Sequence, residues 1–356
     1  MTCHVAEANR RLQRAAVKLL RMLPRMLPIT PFPMTHSRRR LALIALAGAA
    51  FTLPALSRSQ PANPTCPPTA QVPTAEQVQA QMRVARDRGF LWRVQKDGRS
   101  SYLYGTIHVA KMEWMFPGPQ VLAALRASDV VAVELDLLDP AMVATLQTAM
   151  APKPEPALPA ALDARLRAQV TLACLPAALL DALSPVMAAA TLVVMSARRE
   201  GLDPSYGIDP VVSAMGRRLD KPVVSLETAE MQMKLLQGET PQDAQDSVAQ
   251  ILDELEADRA RPMLLRLSRM WADSRLDELD TYAQWCDCLK TALEREFMKR
   301  ALDDRNGPLA ERIAALHSGG QAVFAAVGSL HMTGPQGLPS LLRQRGYQVD
   351  VVPFAR

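Results

Sequence analysis

Three short runs constrain this chain more than any other feature: "DVVAVELD" (129–136), "KPVVSLE" (221–227) and "QAVFAAVGS" (321–329). Each is a brief β-branched or apolar run bounded by polar residues, the pattern of a strand buried on both faces of a parallel sheet. Helical patterns lie between them, and strands alternating with helices predict an α/β fold. "FLWRVQKDGRSSYLYGTIHVA" (90–110) adds a hairpin, because two alternating runs flank Asp97-Gly98, a strong two-residue turn dipeptide. A last strand, "YQVDVVPF", closes the chain. The expectation is a central mixed sheet flanked by helices, with a large helical insertion across the middle, where residues 228–318 read as almost wholly helical. In "YGIDPVVSAMGRRLD" we expect Asp209 to cap a helix that starts at Pro210, with a turn at Asp220.

The hairpin and the third run end alike. "YLYGTIHVA" breaks at Gly105-x-x-His108 and "FAAVGSLHMTG" at Gly328-x-x-His331, in a chain with only five histidines. The other two runs end at Glu134 and Glu227. Ligands of open α/β sheets bind just outside the carboxyl ends of the strands, where all four residues fall. A lone histidine at a strand end is ordinarily a capping residue; two in matched turns beside two carboxylates form a set. Two imidazoles and a carboxylate can hold Mn²⁺, Co²⁺ or Zn²⁺ with positions left open for water and substrate. The glycines let the backbone turn so that the rings point inward. Thr106 and Ser329 supply hydroxyls that can hold the ligands in place. A second carboxylate can take a proton from metal-activated water, and an arginine can steady an oxyanion.

Other polar residues have plainer readings. His317 falls in the last turn of a helix, where the dipole favours it, and Asp203 reads as a turn residue. The methionines of "MQMKLL" read as core filler. No Gly-x-Ser-x-Gly elbow, Walker loop, dinucleotide fingerprint or HExxH helix is present.

Charge locates a leader. Residues 1–59 carry ten basic residues against Glu7 alone, so their removal turns the formal +5 of the chain into about −4 and removes the case for a nucleic-acid partner. "SRRRLALIALAGAAFTLPALSRS" has a basic start, an apolar run from Leu41 to Leu56, and Ser57 and Ser59 at signal-peptidase spacing. We expect residues 34–59 to be a cleaved signal peptide, with either Met34 the true start or 1–33 an extension that carries no fold. Residues 60–75 read as a Pro-rich linker and 76–356 as one domain. Export, periplasmic or extracellular, is the expectation; a retained membrane anchor is the alternative, and membrane contact otherwise ends with the signal peptide. Cys66, Cys174, Cys286 and Cys288 would then meet an oxidising compartment, where at least one disulfide should form.

"YLYGTIHVA", "VVAVELDL", "YGIDPVVSAMGRRLDKPVVSLETAEMQ", "DDRN" and "VFAAVGSLHMTGPQGLPSLLRQRGYQV" together resemble the TraB/PrgY/GumN family, over about residues 85–356. That family is related to the Tiki metalloproteases, and its fold is distantly similar to that of the erythromycin esterases. The resemblance implies paired histidines at His108 and His331, acidic positions at Glu134 and Glu227, and an Arg-Asn pair at Arg305 and Asn306. Asp304 stands where many members have Glu. It further implies a divalent-metal-dependent hydrolase, most plausibly a peptidase on a peptide or protein substrate. His108 and His331 would bind the metal with Glu134, and Glu227 would act as base or second carboxylate, the two glutamates being open to an exchange of these roles. Arg305 would steady the oxyanion or a substrate carboxylate. Gly105, Thr106, Gly328, Ser329 and Asn306 would support that set. A non-catalytic periplasmic protein that sequesters a peptide or a metal-containing ligand is the rival, and an esterase-like activity the third.

Overall fold

The computed structural model describes residues 66–152, 157–238 and 240–354. The signal-peptide and extension readings lie outside the described residues. Six strands form one mixed sheet: β1 (Phe90–Lys96), β2 (Arg99–Thr106), β3 (Val130–Val133), β4 (Val223–Ser225), β5 (Val323–Gly328) and β6 (Gln348–Val351). Their order is β4-β3-β5-β2-β1-β6. The four from β4 to β2 run parallel, and β1 pairs antiparallel with both β2 and β6. Asp97 and Gly98 both take positive φ (51° and 75°), as a two-residue hairpin turn demands.

Every residue of β3 and β5 is buried, which fits strands covered on both faces. The helices Pro119–Ala127, Ile208–Arg218, Asp304–Ser318 and Leu338–Gln344 contribute buried apolar residues to the same core as the strands. A second core, centred on Leu166, Val186, Leu192, Val248 and Leu252, joins the helices Ala160–Leu172, Pro185–Met195 and Pro241–Glu256. These helices lie in the two long connections on either side of β4, away from the sheet's own core.

The described part of the Pro-rich stretch is fastened to the domain rather than free of it. Cys66 is disulfide-bonded to Cys174, just past the helix Ala160–Leu172, and Cys286 is joined to Cys288. The Arg198 guanidinium donates to the Pro68 carbonyl, and the Tyr206 hydroxyl both accepts from the Gln71 amide and donates to the Gln71 carbonyl.

One expectation is corrected. The helix expected to start at Pro210 begins at Ile208, with Gly207 in the capping position, so Asp209 lies inside its first turn. Its side chain is drawn elsewhere, as described below.

Candidate functional site

Register explains why four residues far apart in sequence meet. Val133 of β3 lies opposite Ser225 of β4, and pairing continues past both strands through a bond from the Glu227 amide to the Glu134 carbonyl (3.0 Å). On the other side Thr106 of β2 lies opposite Gly328 of β5. Glu227, Glu134, Gly328 and Thr106 therefore end neighbouring parallel strands on one edge of the sheet. Ser329–Met332 coils into a short 3-10 turn that carries His331, and the chain past Thr106 carries His108.

Gly328 marks the meeting point. A β-carbon built there would lie 3.2 Å from Glu134 Oε1, 3.6 Å from His108 Nε2 and 3.7 Å from His331 Cδ2, the carbon beside Nε2. Any side chain would fill the space these groups share. The Gly328 amide itself donates to Glu134 Oε1 (2.7 Å) and so turns that oxygen toward the two rings.

Each ring commits Nδ1 to a neighbour. His331 is buried and its Nδ1 meets Asn306 Oδ1 at 2.6 Å. His108 stands largely open to solvent, its side chain 65% exposed, and its Nδ1 meets Asp209 Oδ2 at 2.8 Å. An acceptor at Nδ1 keeps the proton there and presents Nε2 with its lone pair when the ring is neutral, the form that binds metals. Thr106 Oγ1 donates to the other Asp209 oxygen (2.6 Å), and Ser329 Oγ donates to the Thr106 carbonyl (2.7 Å). Thr106, Ser329 and Asn306 thus stand where the sequence reading places supporting groups.

The carboxylates are differentiated by what they touch. Glu134 divides its oxygens: Oε1 faces the histidines, while Oε2 accepts from Arg305 Nη2 (2.6 Å) and Gln232 Nε2 (3.3 Å). Glu227 commits both oxygens, accepting from Arg305 Nε (2.8 Å) and Nη2 and from Gln232 Nε2 (3.0 Å). Arg305 also donates from Nη1 to the Ala301 carbonyl, so four of its five N–H groups are engaged. It leads off the helix Asp304–Ser318 directly after a π-helical stretch, Lys299–Asp303, a distortion common at functional sites.

Electrostatics follows this geometry. Burial pushes His331 down to about 4, which keeps it neutral near pH 7. The Asp209 carboxylate raises His108 to about 9. Burial works against ionisation of Glu134, but His331, His108, Arg305 and the Gly328 amide together bring it down to about 2. Burial likewise opposes the charge on Arg305, and the two carboxylates outweigh it.

Among the described residues no three His, Cys, Asp or Glu side chains already close around a metal-sized point. The donor chemistry nevertheless fits a divalent cation: His108 Nε2, the Nε2 edge of His331 and Glu134 Oε1 converge at Gly328, and each is oriented by a partner on its far side. All the residues expected from sequence come together here. Two others do as well. Asp209 was read as a helix cap, and Gln232, placed by the helix Ala229–Gln237, drew no attention inside "MQMKLL". The only local sign of Gln232 is a polar residue five positions after Glu227.

The family model for the TraB/PrgY/gumN family matches residues 90–351. The chain belongs to that family. Neither the curated proteins nor the solved structures yield a match.

Proposed function

We propose that this member of the TraB/PrgY/gumN family is an exported divalent-metal-dependent hydrolase acting on peptide bonds. The observation that supports the reading best is the convergence of His108 Nε2, His331 and Glu134 Oε1 on the space above Gly328. His108, His331 and Glu134 would hold Mn²⁺, Co²⁺ or Zn²⁺. A metal held there would supply Lewis acidity and would lower the pKa of water enough to make hydroxide available near neutral pH.

The rest falls to the chain's own side chains. Asp209 and Asn306 hold the two rings by Nδ1. The Gly328 amide and Arg305 orient Glu134. Glu227, whose oxygens meet Arg305 and Gln232, is the carboxylate left to accept a proton from the attacking water. It can do so once Arg305 shifts its donors toward the oxygen of the substrate, and the fifth N–H of Arg305 is the first available for that. Export rests on the basic–apolar–small pattern of residues 37–59.

One observation favours a second reading, a periplasmic protein that sequesters a peptide or a metal-containing ligand. Both carboxylates are already paired with Arg305, which leaves no free base in the resting site. Turnover separates the two. The purified domain should cleave members of a peptide library with Mn²⁺, Co²⁺ or Zn²⁺ and lose that activity to a chelator. Tight metal or peptide binding with no cleavage in any metal would replace the hydrolase with the binding protein.

A further inference from the structure

Asp209 has no part in the sequence-derived site, yet its surroundings are built around it. It is buried, and each carboxylate oxygen has its own partner: Oδ1 accepts from Thr106 Oγ1 and Oδ2 meets His108 Nδ1. Both partners belong to β2 and the turn that follows it, Gly105-Thr106-x-His108. The segments that carry the acid and the ring are laced together independently of these side chains. The Ile208 amide donates to the Ile107 carbonyl (3.0 Å), and Ala110 and Asp203 exchange two backbone bonds (3.3 and 2.9 Å). Contact is so close at Gly207 that a β-carbon there would lie 2.7 Å from the His108 carbonyl oxygen. The start of the helix Ile208–Arg218 is therefore docked on the His108 turn by its backbone. Asp209 sits in the first turn of that helix, where its carboxylate spans Thr106 and His108.

Resting on the metal-site reading, we propose that Asp209 is the positioning residue of His108. It holds the Nδ1 proton, fixes the ring with Nε2 toward Gly328, and strengthens that nitrogen as a donor through its negative charge. Thr106 is the second tier, since its hydroxyl fixes the carboxylate. His331 has a neutral counterpart in Asn306. The two rings thus differ in kind: the exposed one leans on a charge, the buried one on an amide. An exposed ring has few packing contacts to hold it, so it depends on its hydrogen-bond partner for orientation.

The test compares Asp209→Asn, Asp209→Ala, Thr106→Val and His108→Ala with the unaltered domain in two ways. Zn²⁺ affinity is measured by competition with a chromophoric chelator. In metal-free protein at pH 10, ¹⁵N shifts report which ring nitrogen of His108 carries the proton. The unaltered ring should show one tautomer, protonated at Nδ1. Asp209→Asn, which keeps an acceptor, should retain it while Zn²⁺ affinity falls about 10–100-fold. Asp209→Ala should lose the tautomer preference, and Thr106→Val should weaken Zn²⁺ by a smaller factor. A His108 ring that already samples both tautomers, or keeps one unchanged in Asp209→Ala, overturns the positioning role whatever the metal does. If the tautomer depends on Asp209 but His108→Ala leaves Zn²⁺ affinity intact, the orienting role stands and the metal reading fails.

Discussion

Gly105–His108 and Gly328–His331 leave neighbouring parallel strands one residue out of register, with Thr106 opposite Gly328, and their surroundings are otherwise unlike. The first turn opens to solvent, and its histidine is held by a carboxylate from a helix docked alongside. The second coils at once into a 3-10 turn, buries its histidine and holds it with the amide of Asn306. The glycines differ too. A β-carbon at Gly105 would press on Ser329 Oγ at 2.9 Å and Phe90 at 3.3 Å, whereas one at Gly328 would stand among the three donors. One glycine lets two turns pack together, and the other keeps a space open. Similar spelling, Gly-x-x-His, thus encodes a solvent-exposed ring on one strand and a buried ring on the next.

Replacing the histidines exposes that contrast most strongly. His108→Ala and His331→Ala should each weaken Zn²⁺ or Co²⁺ binding by more than the roughly 100-fold that a supporting partner is worth. His331→Ala should lower stability by about 1–3 kcal/mol with no pH dependence around neutrality, because it leaves buried Asn306 Oδ1 without its partner. His108→Ala should lower it chiefly below about pH 9, where it removes the imidazolium that faces the buried Asp209 carboxylate. Thermal unfolding of the metal-free variants reads the difference. A loss in His108→Ala that did not fade as pH rises through about 9 would erase the distinction between the open and the buried ring.

The glycines should separate in the opposite sense. Gly328→Ala should reduce metal affinity about tenfold, equivalent to ~1.4 kcal/mol, with little change in the unfolding midpoint. Gly105→Ala should cost about 1–3 kcal/mol of stability through overpacking on Ser329 and Phe90, with a smaller change in affinity. Denaturant titration beside metal titration checks both. Were Gly328→Ala to bind metal as tightly as the unaltered domain, the shared space would not be the site.

A smaller effect should come from further out. Residues 66–74 are tied to Arg198 and Tyr206, next to the segment that laces onto the His108 turn, and are anchored by Cys66–Cys174. The Cys66→Ser/Cys174→Ser pair should lower the unfolding midpoint and faintly loosen metal binding, through His108 alone. Hydrogen exchange should rise in 107–110 and 203–208 but not in 328–332. Uniform loosening of both turns would remove the asymmetry.

The sheet and the four residues at its strand ends, His108, Glu134, Glu227 and His331, were legible because the evidence for them is local. Short buried strands announce themselves by composition, and a polar residue directly after one is a strand-end residue wherever the sheet lies. Asp97-Gly98 carried its turn in the same way. Asp209 was misread because Asp-Pro is a local signal for a helix start, while its partners Thr106 and His108 lie about a hundred residues away in sequence. Gln232 hides between two methionines with opposite fates, Met233 in the core and Met231 at the surface, and only the helix direction aims it at Glu134 and Glu227. The insertion of β5 between β3 and β2, which brings both histidines together, is a long-range pairing that no window of sequence displays.

X-ray absorption spectroscopy of the Zn²⁺-loaded domain tests the central claim most directly. The account predicts one bound ion per chain, with two imidazole nitrogens at about 2.0–2.1 Å and a carboxylate oxygen at about 2.0–2.2 Å. One imidazole should vanish from the spectrum in His108→Ala and one in His331→Ala. A bound Zn²⁺ whose shell lacks imidazole, or keeps both rings in either variant, would contradict it and leave the matched turns as structure alone.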